Sequence, residues 1–286
     1  MKRKTKITLL VFVALLALSL NSYSQDKNFY IFICLGQSNM EGNAKIEPQD
    51  TIMTDNRFQV LSTVDCPEMG RAKANWYPAV PPLCRCNTGL TPADYFGRTM
   101  IANLPKNVRV GVINVAVGGC KIELFDKDNY QSYVATAPSW MIGMLNQYDG
   151  NPYARLVEMV KIAQKSGVIK GILVHQGESN TGDETWPSKV QGVYNNLLKD
   201  LNLNSKSVPL LAGELVAADQ GGKCASMNAI INKLPQTIPN SHVISSKDCT
   251  AIGDGLHFTA EGYRKLGKRY AVKMLSLLGI KINSEE

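Results

Sequence analysis

Ser38, Asp254 and His257 are the residues whose types and spacing point to nucleophilic chemistry. A serine hydroxyl is a weak nucleophile until a base takes its proton, and an imidazole serves best as that base when a carboxylate holds its tautomer and orientation. Asp254-Gly255-Leu256-His257 puts a carboxylate three residues before an imidazole, just ahead of a helical pattern. Ser38 lies in the run Ile31-Phe32-Ile33-Cys34-Leu35-Gly36-Gln37-Ser38-Asn39-Met40, in which an apolar, strand-like stretch stops at Gly36. Ligands of open α/β sheets bind outside the carboxyl ends of the strands, so this hydroxyl is placed to reach one. Gly and Ser at a strand end by themselves describe an ordinary turn. The remote Asp-x-x-His pair makes acyl transfer the expected chemistry.

Acyl transfer also needs donors aimed at the negative oxygen of a tetrahedral intermediate, each commonly worth about 3 kcal/mol. Two more strand-like runs end in suitable groups, at Asn114-Val115-Ala116-Val117-Gly118-Gly119-Cys120 and at His175-Gln176-Gly177-Glu178-Ser179-Asn180. The backbone N–H groups of Ser38 and Gly119 and the side-chain amide of Gln176 are the candidate donors. Glycine at 118 and 119 permits close backbone approach, or simply a strand-to-loop turn. Ser179 as a nucleophile beside His175 would require a helix, whereas this stretch reads as strand followed by loop. Glu178 either assists His257 or binds substrate hydroxyls, or else it satisfies backbone N–H groups of its own loop. His175 and His242 read as core residues, and Glu214 either faces the site or merely closes its strand. Trp76, Trp140 and Trp186 read equally as stacking platforms for a ligand or as packing anchors.

Apolar runs at 29–35, 108–115, 169–175, 208–215 and 242–245 alternate with helical patterns at 92–103, 152–165, 187–201, 224–234 and 260–278. Continuous apolar strands between amphipathic helices predict a three-layer α/β/α sandwich with a mostly parallel, five-stranded sheet. Parallel strands would bring all three motif ends to one edge. In the last helix Tyr263, Leu266, Tyr270, Met274 and Leu278 form one stripe, and Thr259 is placed as its N-cap. The connection at 41–90 carries three cysteines, Trp76, Tyr77 and a Val-Pro-Pro turn, which predicts an ordered loop walling the site.

With 44% hydrophobic and 19% charged residues the chain is globular in composition. Lys2, Arg3, Lys4 and Lys6 precede an apolar run at 7–20, and Ser22-Tyr23-Ser24 supplies small residues after it. This is a secretory signal pattern, too short for the roughly 20 residues of a membrane span. Cleavage after residue 24 leaves a single domain at 25–286, secreted or periplasmic, without stable membrane insertion. It also removes four basic side chains and no acidic ones, taking the formal charge from +7 to +3. No run of Lys and Arg interleaved with aromatics suggests a nucleic-acid partner. Seven cysteines in an exported chain imply disulfides with at least one thiol left over, and apolar Cys34 is the expected free one. Cys66, Cys84 and Cys86 share the long connection, and spacing does not choose among their pairings. With no Cys-x-x-Cys pair and three histidines, a metal site is the weaker reading.

The ordered set Gly36-Gln37-Ser38-Asn39-Met40, Gly118-Gly119, His175-Gln176-Gly177-Glu178-Ser179-Asn180 and Asp254-Gly255-Leu256-His257 resembles the SGNH-hydrolase superfamily. More closely it is similar to carbohydrate esterase family six and the sialate O-acetylesterases. The similarity spans most of the mature chain and includes Asn87-Thr88-Gly89-Leu90-Thr91-Pro92 at the start of the first long helix. It implies an α/β/α fold and removal of O-acetyl groups from oligo- or polysaccharide, without metal or organic cofactor. Ser38 would be the nucleophile, His257 the base and Asp254 its orienting acid. Gly119 or Gly118, Gln176 and the Ser38 amide would form the oxyanion hole, with Gln37, Asn39 and Glu178 beside the substrate. Gln37 stands where much of the superfamily has Asp and Gln176 where much of it has Asn, both usual in this branch. Asn180 stands where Asp is commoner. The expected activity is that of an acetylxylan esterase; the alternatives are a sialate O-acetylesterase and a noncatalytic glycan-binding protein on the same scaffold.

Overall fold

Successive side chains of a strand point to opposite faces, so an unbroken apolar run needs cover on both. In the computed structural model, which describes residues 25–52 and 55–282, β1 (Asp26–Gly36) sends Phe29, Ile31, Ile33 and Leu35 into one apolar core and Phe32 and Cys34 into another. The other strands are β2 (Phe58–Leu61), β3 (Trp76–Pro78), β4 (Arg109–Ala116), β5 (Gly167–His175), β6 (Leu210–Gly213) and β7 (Ser241–Ile244). Helices α1 (Ser38–Glu41), α2 (Pro92–Asn103), α3 (Ser139–Asn146), α4 (Pro152–Ala163), α5 (Trp186–Asp200), α6 (Met227–Ile231) and α7 (Ala260–Leu277) position or cover them. Helices α2 and α7 cover one face through Phe96, Met100, Tyr263, Leu266 and Tyr270. The opposite face packs on α4, α5 and α6 through Leu156, Met159, Tyr194, Leu197 and Ile230. The result is the expected three-layer α/β/α arrangement, and Thr259 caps α7 by accepting the Gly262 N–H at 3.0 Å.

The sheet has seven strands among the described residues, in the order β3-β2-β4-β1-β5-β6-β7, rather than the expected five. Both extra strands come from the 41–90 connection. Strand β2 adds parallel to β4, and β3 pairs antiparallel with β2 as the edge. Each is only three or four residues long, so neither carries an apolar run that stands out in sequence, and β3 ends at Pro78, as an edge strand can. Between β4 and α4 the chain also forms α3, which the sequence pattern does not announce.

Strand β1 is central: Gly36 pairs with Ala116 of β4 on one side and with His175 of β5 on the other. The three strands therefore end level, which aligns the motifs that follow them. The long connection is stapled by a Cys66–Cys86 disulfide. Cys34, Cys84, Cys120, Cys224 and Cys249 are free thiols, so Cys84 is not the loop's bridging partner. The expected signal segment at 1–24 lies outside the described residues, among which no helix is long and apolar enough to cross a membrane.

Candidate active site

Gly36 turns the chain where it must pass close to β5: the N–H of Gln37 donates to the His175 carbonyl at 3.1 Å. A Cβ on Gly36 would lie 2.1 Å from that same oxygen, so only glycine fits. The chain then enters α1 with Ser38 as its first residue, whose N–H has no acceptor within the helix. The Asn114 amide and the Thr91 hydroxyl each donate to the Met40 carbonyl at 2.8 Å and pin α1 to β4 and α2.

The loop before α7 brings Asp254 and His257 to the same spot. His257 Nε2 lies 2.8 Å from Ser38 Oγ, and His257 Nδ1 lies 2.6 Å from Asp254 Oδ2. Asp254 Oδ1 accepts the N–H groups of Leu256 and His257 at 2.8 and 3.0 Å, which orients the carboxylate before it meets the ring. Burial pushes the Asp254 carboxyl up, but the His257 hydrogen bond and those two N–H groups more than offset it, leaving it below the usual carboxylate range. An ionised carboxylate only accepts, so the proton sits on Nδ1 and the bare Nε2 faces the serine.

Ser38 and His257 open onto a cavity of about 340 Å³ lined also by Gly119, Trp140, Met144 and Glu178. Gly118 and Gly119 differ in what their N–H groups can do. The Gly118 N–H donates to Glu41 Oε1 at 3.1 Å, whereas the Gly119 N–H makes no hydrogen bond among the described residues. Gly119 alone thus remains to act with the Ser38 N–H. It adopts a φ of +69°, and a Cβ there would come within 2.5 Å of the Trp140 ring. Ser179 does not meet His175 as a nucleophile would; its Oγ donates to the Gly119 carbonyl at 2.8 Å.

Gln176, expected in the oxyanion hole, lies one layer behind the cavity. Its oxygen accepts the Trp186 indole N–H at 2.5 Å, which turns its nitrogen toward the Gln37 amide (3.0 Å), Cys120 O (3.2 Å) and Asn180 Oδ1 (2.8 Å). It braces Gln37, which does line the cavity. Trp186 is accordingly a buried anchor, Trp76 is half-buried and packs against Phe29, and Trp140 is the one of the three that reaches the cavity.

Asn39 is buried rather than beside a substrate. Its nitrogen donates to Glu178 Oε1 at 2.5 Å and to the Leu256 carbonyl at 2.9 Å, and its oxygen accepts from Tyr263 at 2.6 Å. It thereby joins the ends of β1 and β5 to the loop that carries His257. Glu178 lines the cavity, and burial raises its carboxyl above the usual range. His175 is buried, pushed down to about 3 by burial, and its Nε2 has no hydrogen-bond partner among the described residues, so it is a neutral core ring rather than a fully satisfied one. Sequence reasoning missed Glu41, which follows the Ser38 motif directly, and its partner Arg85, 44 residues further on. A carboxylate next to an apolar strand end was the available signal for the first; nothing local marks the second.

Residues 28–276 match the family model described as carbohydrate esterase, sialic acid-specific acetylesterase. A protein from Arabidopsis thaliana shares the fold with a TM-score of 0.67 at 23% identity, over 87% of this chain and 98% of that one. NanS superposes with a TM-score of 0.66 at 16% identity, over 89% of this chain and 99% of its own. A carbohydrate acetylesterase from Xanthomonas citri gives 0.59 at 17% identity, over 88% of this chain and 57% of that one.

Proposed function

We propose, from the premise that this chain belongs to the carbohydrate esterase, sialic acid-specific acetylesterase family, that it is a secreted serine esterase removing O-acetyl groups from a neutral polysaccharide such as acetylated xylan. The observation that carries the mechanism is the pair of contacts on His257, 2.8 Å to Ser38 Oγ and 2.6 Å to Asp254 Oδ2. Ser38 attacks the acetyl carbonyl as His257 Nε2 takes its proton, and the N–H groups of Ser38 and Gly119 receive the oxyanion. His257 then returns the proton to the departing sugar oxygen. Water, deprotonated by the same imidazole, releases acetate from Ser38.

Two observations support a neutral sugar over a sialate. Among the described residues the cavity lining holds the carboxyl groups of Glu41 and Glu178 and no Lys or Arg, so an anionic sugar would meet no cationic partner from them. Trp140, 59% exposed at the rim, offers an apolar ring face of the kind a pyranose stacks on. Export is supported by the basic-then-apolar pattern at 2–20 and by the Cys66–Cys86 bond, which persists in oxidising compartments. The mature enzyme is then one esterase domain at 25–286.

Acetate release should be measured on acetylated xylan, O-acetylated sialic acid and an aryl acetate. Xylan should be cleaved and sialate poorly; xylan oligosaccharides that bind without losing acetate would instead make the protein a glycan-binding one. Trp140→Ala should raise KM for acetylated xylan oligosaccharide about tenfold, the loss of roughly 1.4 kcal/mol of stacking. Its kcat/KM on the small aryl acetate should stay within about twofold, because the ring then contacts no sugar. Equal losses on both substrates would show that Trp140 serves only to pack Gly119.

A further inference from the structure

Glu41 ends the helical turn that Ser38 begins, and its side chain is buried beside the cavity. A carboxylate in that position must be paired and hydrogen-bonded. Its partners are the Arg85 guanidinium, also buried, and the Gly118 N–H at 3.1 Å. Arg85 is delivered by the stapled connection, one residue before Cys86. The fit around the carboxylate is tight, since a Cβ on Gly118 would lie 2.8 Å from Glu41 Oε2.

These contacts bracket the one peptide that matters. Glu41 holds the N–H of Gly118 on one side, and Ser179 Oγ holds the carbonyl of Gly119 on the other at 2.8 Å. Both ends of the Gly118–Gly119 peptide are thus held, and among the described residues its own N–H has no acceptor. Glu41 also sits on the same short helix as the other free donor, the Ser38 N–H. We propose that Glu41 is a positioning residue of the oxyanion hole, its carboxylate balanced by Arg85 and setting the spacing between the Ser38 and Gly119 donors. This rests on the serine esterase reading above and adds to it a residue that never touches the reacting atoms.

The test uses Glu41→Gln, Glu41→Met and the double variant Glu41→Met/Arg85→Met, the last removing the guanidinium that Glu41→Met alone would leave buried and unpaired. Glu41→Gln keeps a carbonyl oxygen for the Gly118 N–H and should retain kcat within about fivefold, because the hydrogen bond survives without the charge. Both Met variants should lose roughly 30- to 100-fold in kcat on an aryl acetate with KM unchanged, somewhat less than deletion of a whole donor costs. The inhibition constant of phenylboronic acid, whose tetrahedral adduct with Ser38 puts an oxygen in the same hole, should rise by a matching factor. A purely structural ion pair would instead lower the thermal midpoint and the active fraction and leave that constant unmoved, which would overturn the inference. So would a double variant with kcat within threefold of wild type, or a rise in KM alone, which would make Glu41 a substrate ligand. Wild-type protein inert on every acetyl ester would sink the esterase reading and this inference together; an active wild type with unaffected Glu41 variants would sink the inference alone.

Discussion

Ser38→Ala should lower kcat for acetate release by about 10⁴- to 10⁶-fold, the scale on which loss of an activated nucleophile is felt. The Ser38 hydroxyl is the one that an imidazole contacts in the cavity, at 2.8 Å, whereas the nearby Ser179 hydroxyl is occupied with the Gly119 carbonyl. Deleting one oxygen leaves the backbone donors of Ser38 and Gly119 in place, so a slow, water-driven hydrolysis should survive, and KM should change little because the ground-state contacts persist. The fold should survive too. Ser38 gives up one side-chain hydrogen bond that is not fully buried, worth about 1 kcal/mol. Acetate release by variant and wild type, compared at matched circular dichroism spectra, checks this, and mass spectrometry should show organophosphate labelling in the wild type only. A variant within tenfold of wild type would move the nucleophile elsewhere, with Ser179 the next hydroxyl in the cavity.

The convergence of Ser38, Asp254 and His257 was legible because each sits in a local pattern with one structural outcome. An apolar strand stopped by Gly36 puts Ser38 at a sheet edge, and a carboxylate three residues before a histidine can fold back on its ring. The level ends of β1, β4 and β5 follow from parallel pairing alone. What stayed hidden depends on direction and on distant partners. Gln176 was expected in the oxyanion hole, yet the Trp186 indole N–H, ten residues later, donates to its oxygen and turns the amide away. Gly118 and Gly119 are chemically alike in sequence, and only Glu41 distinguishes them by taking the first N–H. Cys66 pairs with Cys86 rather than Cys84 because of the path of a loop containing two strands too short to announce themselves.

Asp254→Asn should lower kcat by about 10² to 10⁴ at neutral pH, through the tautomer of His257 rather than through lost binding. The asparagine oxygen can still accept the N–H groups of Leu256 and His257, as Asp254 Oδ1 does at 2.8 and 3.0 Å, so the loop keeps its shape. The new amide N–H₂ then faces Nδ1, where Oδ2 stood at 2.6 Å, and demands an acceptor. The ring answers by moving its proton to Nε2, which now points an N–H at Ser38 and can take nothing from it. Because the Asp254 side chain is 37% exposed, water competes for Nδ1 and rescues part of the productive tautomer, which sets the lower end of the range. The stability effect has a definite sign. The carboxyl is held below its ordinary value, so what it adds to stability is present above about pH 4 and is lost as pH falls through the lowered value. Asparagine has no such loss, so the stability gap between wild type and variant should narrow on acidification. Steady-state kinetics at pH 7 and denaturant melts down to pH 3 read both effects. A kcat loss under tenfold would take the orienting role from Asp254 and pass it to Glu178, whose carboxyl also lines the cavity.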